Sequence, residues 1–143
     1  MIALLTAINT ALTGDATYMA LATGGVHQSM ALPGSVPPFG IFYIVPGPGP
    51  AYVFGGLEAF DEVLIAHKGV AVDKDDGSAA GADLAEQIRE RGKFVLHNAA
   101  LSVAGFELLA IMCDRALPEM SEETGGRTRY HRGDYFRVQL QKL

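Results

Sequence analysis

At 143 residues, with 49% hydrophobic side chains and a formal charge of -5, the chain is long enough to bury one core and too acidic overall to coat nucleic acid, whose non-specific affinity comes from Lys and Arg neutralising phosphates. Its single cysteine excludes an intramolecular disulfide framework, and no stretch approaches the apolar length of a membrane span. The opening MIALLTAINTALTGD lacks the basic start of a signal peptide, so the expectation is one soluble domain over residues 1–143, made in a reducing cytoplasm.

In chain order, Ile2, Leu5, Ile8 or Asn9, and Leu12 recur at helical spacing up to Gly14. Asp15 is placed to cap a second short helix carrying Tyr18, Leu21 and Ala22, closed by Gly24-Gly25. The loop PGSVPP (33–38) leads into Phe39–Val45, a β-branched and aromatic run that predicts a buried strand. PGPGP (46–50) denies backbone donors and predicts a rigid loop or sheet rim. A second strand is expected from about Phe60 to Val72, then a polar connection. Ser78 is the candidate cap of a helix over 79–97, whose stripe of Gly81, Ala85, Ile88, Gly92 and Val95 would lie close to a sheet. Asp83, Glu86, Glu90 and Lys93 take its wet face, and Asn98 is its left-handed stop. Phe106–Cys113 is apolar on both faces, which predicts a central strand. A long loop, 117–128, precedes a last strand from about Arg129 to Gln141, with Phe136, Val138 and Leu140 inward. The order α-α-β-β-α-β-β describes an α+β fold: a mostly antiparallel four- to five-stranded sheet packed by one long helix and a short N-terminal helical pair.

No catalytic or metal-ligand pattern emerges along this chain. His27, His67, His97 and His131 fall in four different elements without a neighbouring Cys, so separate surface or cap roles are expected. Asp73, Asp75 and Asp76 precede Gly77 one position too early for a calcium loop, and Leu84 stands where the bidentate Glu belongs. GPGPAYVFGG has neither the GK[ST] of a phosphate loop nor GxGxxG before a helix. Ser102 and Ser121 lack a nucleophile-elbow context, and Cys113 sits in an apolar run. The expectation is therefore no enzyme and no cofactor. The rival reading is a small-molecule-binding or enzymatic α+β domain whose polar pocket is assembled only by folding.

Charge is unevenly spread. Residues 1–88 hold two basic and nine acidic side chains, a sum of -7, whereas residues 89–143 hold nine basic and seven acidic, a sum of +2. Either this is a solvated surface, or unlike regions of neighbouring copies meet head to tail. Arg132-Gly133-Asp134 spells an integrin-binding tripeptide, but nothing bends the chain after Asp134. Arg132 and Asp134 are in phase with Phe136, so both are expected on one side of a strand beyond the core's edge, with Gly133 marking a bulge.

The helical start, PPFGIFYIV, FVLHNAALSVAGFELL, an acidic loop and the closing YHRGDYFRVQL together resemble the tail-terminator, or tail-completion, proteins of long-tailed bacteriophages. The likeness spans nearly the whole chain and is best from Leu84 to Phe106 and in the final strand, at Tyr130, His131 and Tyr135-Phe136-Arg137-Val138. It departs from the family in PGPGPAYVFGGL (46–57) and in the length of the 117–128 hairpin. What the resemblance implies is a structural virion protein at the head-proximal end of the tail. Such a protein forms a homo-oligomeric ring, commonly a hexamer, that caps the major tail tube protein and meets the head-tail connector while genomic DNA passes without specific binding. The interface candidates on that reading are Glu122, Glu123, Arg127, Arg129, Tyr130, Arg132 and Asp134. A connector component nearer the capsid is the structural alternative.

Overall fold

Alternation along the last strand decides where the other elements sit. In the computed structural model, which describes residues 2–52, 58–73 and 80–143, β6 (Arg127–Lys142) turns Phe136, Val138 and Leu140 fully into the core and leaves Tyr135, Arg137 and Gln139 half-buried on the other side. It pairs antiparallel with β3 (Glu58–Val72) from Val72↔Arg129 to Asp61↔Leu140. β2 (Phe39–Tyr52) pairs antiparallel with β3, and the short β1 (Val26–Gln28) adds to β2 in parallel at Val26↔Gly40. Along the opposite edge of β6 lie β4 (Phe106–Ala116) and then β5 (Met120–Thr124). The result is a mixed six-stranded sheet in the order β1-β2-β3-β6-β4, with β5 also on β6.

The three helices among the described residues share the core that Phe136, Val138 and Leu140 enter. Leu4, Ile8 and Leu12 of α1 (Ile2–Thr13), Tyr18 of α2 (Ala16–Leu21), and Ile88 and Leu96 of α3 (Gly81–Leu96) meet Phe42, Ile65 and Ile111 of the sheet there. On the reverse face, Phe39, Ile41 and Val70 form a small cluster covered by Ala31 of the loop before β2. Among the described residues no helix covers the rest of that face.

The α+β class holds, with one long helix and an N-terminal pair, but β1 and β5 enlarge the expected order. Two placements are corrected. β4 is an edge strand, not a central one: Leu109 and Met112 are 45% and 41% exposed, so its double-sided apolarity marks open surface. The PGPGP stretch does not stop β2; after a register shift, Gly49 and Pro50 pair with Glu62 and Asp61. β1 reaches only to Phe42, so among the described residues no strand pairs with that edge of β2 from Tyr43 onward, and missing N–H groups there break no ladder.

Local signals fared better at the helices. Asp15 caps α2 by accepting the Tyr18 N–H at 2.7 Å, and Asn98 adopts φ 58° just past α3. Ile2 is 80% exposed instead of lying on the buried stripe of α1, and Leu96 instead of Val95 completes that of α3. The N-cap position of α3 is Ala80, with no side-chain cap bond of its own; the Gly81 N–H donates to Asp73 Oδ1 at 2.6 Å. Candidate cap Ser78, the acidic turn at 75–77 and positions 53–57 lie outside the described residues.

Candidate interaction surface

The segment expected to be a long loop, 117–128, is mostly strand. Gly125 and Gly126 take φ 62° and 80°, the paired positive values that a two-residue hairpin turn requires, and β5 then runs back along β6 from Thr124↔Arg127 to Met120↔His131. Leu117 keeps contact through the interruption, its N–H donating to Gly133 O at 2.9 Å. β4 and β5 are thus one edge strand broken at 117–119.

The pleat separates the interface candidates instead of gathering them. Directly paired residues share a face, so Glu122 stands with Arg129 on the helix-free side. Glu122 also bonds His131, Oε1 to Nε2 at 2.9 Å, and this bond holds its carboxyl below the usual range. Glu123 pairs with Thr128 and is exposed, as is Arg127 at the turn. Arg129 is half-buried, and its Nε makes no hydrogen bond among the described residues. Tyr130 looks the other way: its hydroxyl donates to Asp73 Oδ2 at 3.4 Å, and its ring lies where a side chain on Gly81 would be, so it ties the hairpin to the start of α3. Arg132 donates to the Met120 and His131 carbonyls at 3.2 and 3.0 Å and approaches Glu119 at 3.7 Å.

Asp134 corrects the expectation of a residue beyond the core's edge. It is 2% exposed, and Arg89 of α3 grips it with two hydrogen bonds, Nε to Oδ2 at 3.0 Å and Nη2 to Oδ1 at 2.9 Å. Gly133 marks no bulge in β6; it is in register with Lys68, and a side chain there would collide with the His67 carbonyl. The Arg-Gly-Asp tripeptide is therefore the interior of a strand.

Folding assembles a groove that sequence reasoning missed. On the helix-free side, Tyr43, Leu117, Pro118 and Met120 wall a cleft of about 310 Å³, with Lys68, Glu119 and His131 beside them. Burial pushes the Lys68 ammonium below its ordinary value, with Glu122 opposing, and lowers the His131 imidazole likewise. The pieces come from β2, β3, the 117–119 break, β5 and β6, so only the pairing register brings them together.

The remaining histidines go to separate partners. His67 is fully buried and shares a 2.7 Å hydrogen bond with the Tyr18 hydroxyl; burial brings its pKa down to about 4. His97 caps α3, and its Nδ1 accepts the Cys113 N–H at 3.0 Å. His27 sits edge-on to Phe39. Among the described residues no His, Cys, Asp and Glu gather as a metal site. Burial raises the Cys113 thiol, opposite to what an activated nucleophile needs.

No protein-family model and no curated protein matches the chain. Solved structures do share its fold. One is a chain described as "Virion of native gene transfer agent (GTA) particle", with a TM-score of 0.69 and 18% identity over 94% of this chain and 92% of that one. Another, whose description states no function, aligns with a TM-score of 0.59 and 16% identity over 99% of this chain and 95% of its own. At these identities the likeness establishes the fold and leaves the role of each side chain to the geometry.

Proposed function

We propose that the chain is a structural virion protein whose copies form a ring, a hexamer, that closes the end of a tail tube and joins it to the head connector, with no bond made or broken. The observation that carries this reading is the fold shared with a virion chain across 94% of the sequence, in agreement with the resemblance of PPFGIFYIV, FVLHNAALSVAGFELL and YHRGDYFRVQL to tail terminators. The sheet supports it: one face is committed to the helices, while the other offers a groove beside the β5–β6 hairpin for contact. Arg89, Arg91, Arg115, Arg132 and Arg137 each lie against a carboxylate of the same chain, which suits a conduit that lets DNA pass without gripping it.

Electron microscopy of particles made without this protein tests the role. Tails of uncontrolled length are expected. Tailless heads beside normal tails would instead assign a connector component nearer the capsid, and particles of normal form would overturn the virion role. Sedimentation velocity of the purified protein with tail tube protein tests the ring.

A further inference from the structure

Phe94 is the most conspicuous side chain that the fold leaves without a purpose. It lies on the wet side of α3 and is 71% exposed. Its neighbour Arg91 places a guanidinium 4.3 Å from the ring centroid, and Asp15 fixes that guanidinium through two hydrogen bonds of 2.9 and 2.8 Å. The ring is thus braced from one side and open on the other, already ordered for a partner, which lowers the entropic cost of binding. Glu90 and Lys93 line the same depression, one carboxylate and one ammonium around an aromatic ring.

The groove on the far side of the sheet has the reciprocal chemistry. Its walls, Tyr43, Leu117, Pro118 and Met120, are apolar, and its charged members are Lys68 and Glu119. Its volume of about 310 Å³ is at the small end of ligand sites, a size for one large side chain. Lys68 lines the groove, and burial lowers its ammonium although the Glu122 charge opposes this, so an incoming acid would relieve it further.

We propose that the occupant is a second copy of this chain: Phe94 of one copy seats in the groove of the next, with Glu90 toward Lys68 and Lys93 toward Glu119. α3 covers one face of the sheet and the groove opens on the other, so a chain cannot satisfy its own groove. The contact is heterologous, joining unlike patches, and such contacts repeat around a ring. This assignment rests on the ring reading above and names the surfaces that would build it.

Cysteine pairing tests it. Phe94→Cys and Met120→Cys are prepared separately in a Cys113→Ala chain, then mixed and oxidised. A disulfide-linked dimer is expected from the mixture and from neither variant alone; a dimer from one variant alone, or none from the mixture while the protein still assembles, overturns the contact. In the second arm, Phe94→Ala weakens self-association at least about tenfold, as central aromatic anchors do. Lys68→Glu weakens it similarly, and adding Glu90→Lys restores it. These side chains are exposed or at the groove, and a circular-dichroism melt checks that each variant folds. Wild-type protein that assembles while Phe94→Ala assembles equally well sinks the contact and spares the ring. Wild-type protein that stays monomeric even with tail tube protein sinks both.

Discussion

His67 lies sealed between β3 and α3, hydrogen-bonded to Tyr18 and beside Asp134 in the next strand. Burial disfavours its cation, and the Asp134 charge only partly offsets that, so its folded pKa of about 4 lies below the ordinary 6.5. Between those values the unfolded chain binds a proton that the folded chain refuses. Stability is therefore full above about pH 6.5 and falls as pH drops toward 4, by about 3 kcal/mol from this residue alone. His131, also lowered, adds with the same sign. Urea melts at about pH 7 and pH 5 check this: His67→Gln, which does not titrate, should flatten the difference, and an unchanged slope would contradict the assignment. Asp134 sets a second expectation. Asp134→Ala takes from Arg89 its two-bond partner and leaves it only Glu86, at 3.2 Å, so it should cost about 1–3 kcal/mol, whereas Asp134→Ala with Arg89→Met, which removes both charges, should cost less. Equal losses in the single and double variants would mean that the pair matters only for packing.

α3 packs against the sheet by giving up side chains. A Cβ on Gly92 would strike the His67 ring, and one on Gly69 would lie 2.7 Å from both the Ala85 carbonyl oxygen and Ile88 Cβ. Gly92→Ala, worth about 1 kcal/mol of stabilisation in an open helix, should therefore lower stability by about 1–3 kcal/mol here. The sign is checked by thermal melting, and the same change in a His67→Ala chain should recover the helical gain. The small residues on this stripe were visible in the sequence, as were the Asp15 cap and the Asn98 stop, because each is a local device read from neighbours. β1, β5 and the edge position of β4 were hidden, since strand pairing depends on residues far along the chain; the register His67↔Asp134 alone moves Asp134 from beyond the core's edge into the core. The groove was illegible for the same reason. Phe94 did leave a trace: an aromatic standing off the stripe Gly81, Ala85, Ile88, Gly92 among charged neighbours.

At the scale of the whole molecule, the sheet has one face buried under helices, among the described residues no helix covers the other beyond the patch under Ala31, and the two prospective contact patches lie on opposite sides. A pair of copies joined this way would still present one vacant groove and one vacant Phe94, so growth would continue, into a ring where the rotation per copy closes, as the proposed function requires. On the proposed ring reading, charge sets how such an assembly treats DNA. The chain carries -5 in total, and Arg89, Arg91, Arg115, Arg132 and Arg137 are already matched within it. Binding to duplex DNA draws its strength from releasing counterions as basic side chains replace them at phosphates, and side chains engaged with Asp or Glu must first give up those partners. The protein should therefore hold double-stranded DNA more weakly than about 10⁻⁴ M at physiological salt, with a shallow dependence of affinity on salt. A fluorescence-anisotropy titration across salt concentrations reads both quantities. Micromolar binding that falls steeply with salt would reveal a basic surface presented to phosphate and would rule out a passage through which DNA slides without being held.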